Sequence, residues 1–179
     1  MSVSVTVERA AAVNDRRAAF AALADRELDG AYRLAGVILG DAFEAEDATH
    51  DAVVTAWQRF TSLRDPDRFE PWFQRILVNT CRDRMRRRRR QPSVELDRAR
   101  DLTGGRDAFG DADDRLVLGA AFERLSVDHR LVVVLRFYAD LTVDDIADRL
   151  GVPAGTVKSR LHAATQRLQA AMGEEEGSA

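Results

Sequence analysis

Cysteine occurs once in the 179 residues, at Cys81, so no internal disulfide can form. Histidine is nearly as scarce. It stands only at His50, His129 and His162, from which no tetrahedral zinc set of the usual spacing can be assembled. No apolar run approaches the ~20 residues that a bilayer span needs, which excludes a membrane-inserted chain. Residues Met1 to Ala12 contain Glu8 and no cationic segment followed by an apolar one. Neither a secretory signal nor a transit peptide is therefore legible, and the sequence places the chain in the cytoplasm. Excess charge of one sign is missing too, at −3 overall. With 45% hydrophobic and 32% charged residues, the composition excludes a disordered chain and fits one ordinary domain or two small ones.

The near-neutral sum hides an uneven distribution. Residues 1–90 carry 16 basic and 14 acidic groups, residues 91–112 carry 3 and 5, and residues 113–179 carry 8 and 11. The basic excess is concentrated between Arg82 and Arg90, where seven arginines meet one aspartate. Such a run is either a solvated helix end or a contact for a polyanion. Helical periodicity recurs in two blocks, and no alternating strand pattern bounded by turn residues occurs anywhere. Between the blocks, Gln91 to Ala112 holds Pro92, Gly104, Gly105 and Gly110, with almost no periodicity. The expected architecture is all-α: two small helical domains, 1–90 and 113–179, joined by a flexible linker at 91–112.

In the first block, Asp15 to Leu28 and Ala31 to Leu39 read as short amphipathic helices, followed by a helix from about Phe43 to Phe60. The apolar stripe of that helix is Ala45, Ala48, Ala52, Val53, Ala56 and Phe60, and its opposite face carries Asp47, His50, Asp51, Val54 and Gln58. A valine among acids on a solvent face suits a docking partner, although single exposed valines are ordinary. After a loop from Thr61 to Glu70, Pro71 is placed as the first residue of a helix reaching about Arg89, with Trp72, Phe73, Ile76, Leu77 and Thr80 buried. Arg75, Asn79, Arg82 and Arg86 then fall on one face at spacings of 4, 3 and 4. Three guanidinium groups in a row repel unless something anionic lies against them, and a nucleic-acid backbone is the commonest candidate. Cys81 reads as a small helix-packing residue.

The second block shows four helical patterns: Asp114 to Leu125, Asp128 to Tyr138, Val143 to Leu150 and Pro153 to Met172. Thr142 with Asp145 has capping-box spacing, Ala147 is small enough for a close helix crossing, and Gly151 closes the third helix in a tight turn. This arrangement is the sequence form of a helix-turn-helix, whose second helix lies in the DNA major groove. Val157, Leu161, Ala164 and Leu168 form the inward stripe of the last helix. Thr156, Lys158, Ser159, His162, Ala163 and Gln166 face outward, with Arg160 and Arg167 at the flanks.

Both blocks together resemble an RNA polymerase sigma factor of the extracytoplasmic function (ECF) group, over roughly Phe20 to Met172. Ala45 to Trp57, AEDATHDAVVTAW, resembles that family's polymerase-clamp helix, with His50 and Asp51 where Gln and Glu are common. Trp72 to Arg90 resembles the promoter-melting helix, with Asn79 and Asp83 on its most recognisable polar positions. Pro153 to Leu168 resembles the recognition helix for the upstream promoter element. The resemblance implies core RNA polymerase (clamp and flap) and promoter DNA as partners, with no cofactor, no metal and no catalytic residue. Polymerase binding is then expected at Asp47, His50, Asp51 and Val54. The minus-ten element would be recognised and melted through Leu63, Arg75, Asn79, Arg82 and Arg86, and the minus-thirty-five element read through Thr156, Lys158, Ser159, Arg160 and His162. Ala163 departs from the family, where arginine is frequent. Family members are commonly held inactive by an anti-sigma protein that covers both blocks, which adds a further partner.

Two rival readings are narrower. A stand-alone helix-turn-helix regulator would explain the second block and leave the first without a role. A metal-dependent phosphohydrolase would rest on the adjacent His50 and Asp51, but it needs further ligands converging from other helices, and no histidine lies upstream of His50.

Overall fold

The computed structural model describes residues 2–90, 119–122 and 124–176; the expected linker at 91–112 lies outside them. The described residues contain helices and turns and no strand. In chain order they are α1 (Ser2–Leu39), α2 (Ala42–Arg59), 3-10 turns at Phe60–Ser62 and Pro66–Arg68, and α3 (Phe69–Arg90). After a short helical stretch at 119–122 come α4 (Val127–Val133), α5 (Val143–Leu150) and α6 (Ala154–Glu176).

Where the sequence suggests two short helices before Leu39, the structure has a single one. Asp29 and Gly30 do not interrupt α1, because glycine inside a helix costs only about 1 kcal/mol, which burial of Phe20, Ala24, Ala31, Leu34, Ala35 and Ile38 outweighs. Gly40, at φ +71, ends α1 in the left-handed region, and its N–H donates to Gly36 O at 2.8 Å. Asp41 then caps α2 by accepting the Glu44 N–H at 2.9 Å. Four alanines, Ala45, Ala48, Ala52 and Ala56, line the buried face of α2 and let α1 and α3 approach closely.

Helix α3 begins two residues before the expected Pro71, at Phe69. Pro71 is accommodated inside the first turn, whose N–H groups have no helical acceptor. The aromatic ring of Phe69 explains the early start: it packs edge-on against Phe20 at 5.9 Å and stacks on Phe73 at 5.7 Å. Burial along α3 is also wider than the expected stripe. Val78, Cys81 and Met85 are covered while Trp72 and Thr80 are only half-buried, because α3 packs on α1 and α2 on one side and on α4 and α5 on the other. Cys81 is indeed a packing residue; burial pushes its thiol up to about 12, so it carries almost no thiolate at neutral pH.

In the second block, Ser126 caps α4 by accepting the His129 N–H at 3.2 Å. The expected uniform helix to Tyr138 instead widens into a π turn at Val134–Tyr138, closed by Ala139 N–H to Val134 O at 3.1 Å. The capping box of α5 is present in full: Thr142 Oγ1 accepts the Asp145 N–H at 3.2 Å while Asp145 Oδ2 accepts the Thr142 N–H at 3.2 Å. Gly151, at φ +66, turns the chain, and Pro153 O accepts the first N–H bonds of α6 from outside the helix. Thr142→Ala removes the cap and is expected to lower stability by about 1 kcal/mol. The urea midpoint checks this; an unmoved midpoint means that tertiary packing alone holds the turn.

The two helical domains share one continuous core. Val127, Leu131, Val132 and Leu135 of the second block join Phe73, Ile76, Leu77 and Val78 of the first, together with Ile146, Leu150 and Val157.

Candidate nucleic-acid interface

The row that the sequence places on one face of α3 lies along the seam between the blocks. Arg75 Nη2 rests against the Gly151 turn, 3.6 Å from the position a β-carbon would take there. Arg82 Nη2 donates to Leu150 O at 3.2 Å, at the end of α5, and its Nε lies 4.0 Å from Asp128 Oδ1. Arg86 Nη2 donates to the same Asp128 oxygen at 3.3 Å, and Arg89 donates to Leu125 O. Arg149 Nε bonds Gln74 Oε1 at 2.9 Å across the same seam. Burial, with its loss of hydration, holds the Arg82 pKa below the ordinary arginine value although Asp128 opposes the shift. Asn79 directs its amide to its own helix, donating to Arg75 O at 2.8 Å.

Guanidinium groups at Leu150 O and Leu125 O occupy places where helix carbonyls have no intrahelical donor. Arg130 repeats the device in the other direction: buried in the second block, it donates to Ile38 O of α1 at 3.4 Å and lies over the Phe122 ring at 5.0 Å.

On α2, Asp47, His50, Asp51 and Val54 are all exposed, Val54 at 41%. The expected face is therefore formed, but one cation tempers it. Arg84 of α3 reaches Glu44 at 3.1 Å, Asp47 at 3.6 Å and Asp51 at 2.5 Å. Burial works against the Arg84 charge, and the hydrogen bonds it donates to Asp51 and Glu44 outweigh that, raising its pKa. The sequence reading overlooked Arg84; its signal was the 3 and 4 spacing of Glu44, Asp47 and Asp51, a stripe that one arginine can bridge.

On α6, Lys158, Ser159 and His162 are exposed near the amino end, and Ser159 Oγ donates to Thr156 O at 3.0 Å. Thr156 is half-buried. Arg160 turns away from the exposed group, placing Nη2 3.3 Å from Asp128 Oδ2. Leu63 lies between the two 3-10 turns, half-buried against the core. Asp128 was also overlooked. In the sequence it is only an acid in the first turn of a helix, yet it gathers Arg82, Arg86 and Arg160 from two helices.

Among the described residues, no three His, Cys, Asp or Glu side chains are grouped to hold a metal ion, and no helix is long and apolar enough to cross a membrane.

Comparison with known proteins assigns the two blocks separately and in order. The family model Sigma-70 region 2 matches residues 23–91, and Sigma-70, region 4 matches residues 121–170. The ECF RNA polymerase sigma factor SigM of Mycobacterium tuberculosis is 34% identical over 164 residues, covering 92% of this chain and 82% of the relative. SigW of Bacillus subtilis, also an ECF RNA polymerase sigma factor, is 30% identical over 165 residues, covering 84% and 87%. Among solved structures, the sigma factor RpoE in complex with the anti-sigma factor NepR, from Bartonella quintana, superposes with a TM-score of 0.61 at 26% identity over 82% of this chain and 91% of that one. CnrH in complex with the cytosolic domain of CnrY gives 0.62 at 25% identity, covering 87% and 88%. A stand-alone helix-turn-helix regulator would account for only one of the two matched regions, and the chain belongs to the ECF group of RNA polymerase sigma factors, the subunits that recognise promoters.

Proposed function

We propose that residues 1–90 bind the polymerase clamp and melt the minus-ten element, and that residues 113–179 dock on the flap and read the minus-thirty-five element, with 91–112 between them. Clamp binding uses Asp47, His50, Asp51 and Val54. Leu63, Arg75, Asn79, Arg82 and Arg86 engage the melted region, and Thr156, Lys158, Ser159, Arg160 and His162 the upstream element. The chain performs no catalysis of its own and works in the cytoplasm. An anti-sigma protein is a fitting regulator, since the similar sigma factor RpoE is seen in complex with the anti-sigma factor NepR.

The observation that carries the clamp assignment is the exposed valine set among acids on α2. Asp47 is the better test position, because Asp51 makes the shorter bond to Arg84 and its reversal would disturb the fold. Asp47→Arg combined with Val54→Asp is expected to weaken binding to core RNA polymerase about tenfold, close to 1.4 kcal/mol, with unchanged helical circular dichroism. Unaltered affinity in a pull-down with core enzyme overturns the assignment.

A further inference from the structure

We propose that Arg84 is a positioning residue for polymerase binding: from the back of α3 it fixes the carboxylates of α2 in the arrangement that the clamp meets. The proposal rests on the assignment of Asp47 and Asp51 to the clamp contact and adds a residue of α3 to it. Seven arginines crowd residues 82–90, and their density alone points to a single polyanion. With about 3.6 residues per turn, however, Arg84 lies about 200° around α3 from both Arg82 and Arg86, on the opposite side of the helix. Arg82 and Arg86 face Asp128 of the second block, whereas Arg84 faces α2. One member of the run therefore serves a different surface.

Its guanidinium is shared among three carboxylates spaced 3 and 4 residues apart. Nη1 is 3.1 Å from Glu44 Oε2 and 3.6 Å from Asp47 Oδ2, and Nη2 is 2.5 Å from Asp51 Oδ2. The Arg84 side chain is only 18% exposed, against 72% for Asp47 and 54% for Asp51, so it sits beneath the acids that stand out toward solvent. Asp47 and Asp51 each turn Oδ2 down to Arg84 and keep Oδ1 without a bond among the described residues. Two free oxygens are thus held one turn apart, beside exposed Val54, as acceptors for cationic side chains of the clamp. Arg84 acts on such a partner in two opposing ways. It reduces the attraction by one charge, since three carboxylates and one guanidinium leave −2. It also spares the partner the cost of ordering two aspartates that repel at i,i+4 spacing. Water and salt screen the lost charge, while they do nothing to lower the ordering cost, so the second effect prevails.

Arg84→Met keeps the length of the side chain and loses the charge; Arg84→Lys keeps the charge and loses the planar fork. Association and dissociation of the full chain with core RNA polymerase are measured separately at 0.1 M salt. Arg84→Met is expected to associate about twofold faster, because the face becomes more acidic, and to dissociate at least about tenfold faster, so that affinity falls. Arg84→Lys should fall between Arg84→Met and the parent in dissociation rate. Arg87→Met, an exposed neighbour bonded to Asp83 O of its own helix, controls for the loss of one arginine and should behave like the parent. A cation that merely screens the acids predicts tighter binding by Arg84→Met and parental binding by Arg84→Lys; either result overturns the proposal. Parental rates with a smaller active fraction mark a stability effect and overturn it as well. At saturating core enzyme, promoter binding by Arg84→Met should keep the parental salt slope; a slope lower by about one places Arg84 on DNA instead and overturns its positioning role. If Asp47→Arg with Val54→Asp leaves core binding unaltered, the clamp assignment itself fails. If that pair weakens binding and Arg84→Met does not, only the role of Arg84 fails.

Discussion

Replacing Phe73 by alanine is expected to destabilise the folded chain by about 3–5 kcal/mol, a large part of the 5–15 kcal/mol that holds a typical domain together. Phe73 is fully buried, and its ring stacks on Phe69 at 5.7 Å and 16°. Phe69 in turn meets Phe20 and Phe60 edge-on at 5.9 and 6.3 Å, so the cavity left by Phe73 opens in the aromatic cluster that joins α1, α2 and α3. That cluster cannot collapse into the void without breaking these ring geometries. Urea unfolding followed by the fluorescence of Trp57 and Trp72, both at the edge of the cluster, measures the loss. Phe43→Ala is the control: Phe43 is 74% exposed, and its removal should change stability by less than about 0.5 kcal/mol. A Phe73→Ala midpoint within that same margin would mean that α3 is not the element on which the core is built.

Arg82→Ala combined with Arg86→Ala is expected to weaken promoter binding by the assembled polymerase on the order of 50-fold near 0.1 M salt and to lower the salt slope by about two, for two lost phosphate contacts. The assembled enzyme is the right setting, because in the lone chain the same substitutions also release Asp128 and change the seam. Asn79→Ala, from the middle of the same row, should behave differently. Its amide donates to Arg75 O in the structure and is available to exchange that local bond for one to an exposed base or sugar. Closed-complex formation should stay near normal and strand opening should slow, as read by permanganate reactivity of unpaired thymines. A template with an artificial bubble should restore transcription by the Asn79→Ala enzyme and not by the double-arginine enzyme. Equal rescue of both, or normal melting with Asn79→Ala, means that Asn79 is an ordinary surface residue.

Local chemistry made much of this fold legible. The Thr142 and Asp145 capping box and the Gly151 turn rest on interactions within a few residues, the α2 stripe of alanines shows in helical periodicity, and each stands in the structure as its spacing predicts. The unbroken run of α1 through Gly30 and the start of α3 at Phe69 were not legible, because in both places tertiary burial overrides a local signal. The row of Arg75, Asn79, Arg82 and Arg86 shows the limit most clearly. Periodicity identifies its members and implies that something electronegative faces them. It has no information on whether that is a nucleic acid, a set of helix carbonyls or Asp128, which lies 42 residues from Arg86. Asp128 and Arg84 act through such long-range partners, so neither stands out in a one-dimensional reading.

The capping of α1 by Arg130 has a consequence for synthesis of the chain. The acceptor, Ile38 O, and the donor are separated by 92 residues, and Arg82 waits for Leu150 across 68. At roughly 5–20 residues per second, the ribosome takes about 5–20 s to make the interval between Ile38 and Arg130. In the later part of that interval, once Phe73 has been made, the nascent first block can form its aromatic cluster while the carboxyl end of α1 lacks its buried cap. The arginines of α3, once made, likewise precede the carbonyls and the carboxylate that later cover them. A chain in this condition is a cationic, half-capped helical fragment close to messenger RNA, and emergence of the second block is the event that turns it inward.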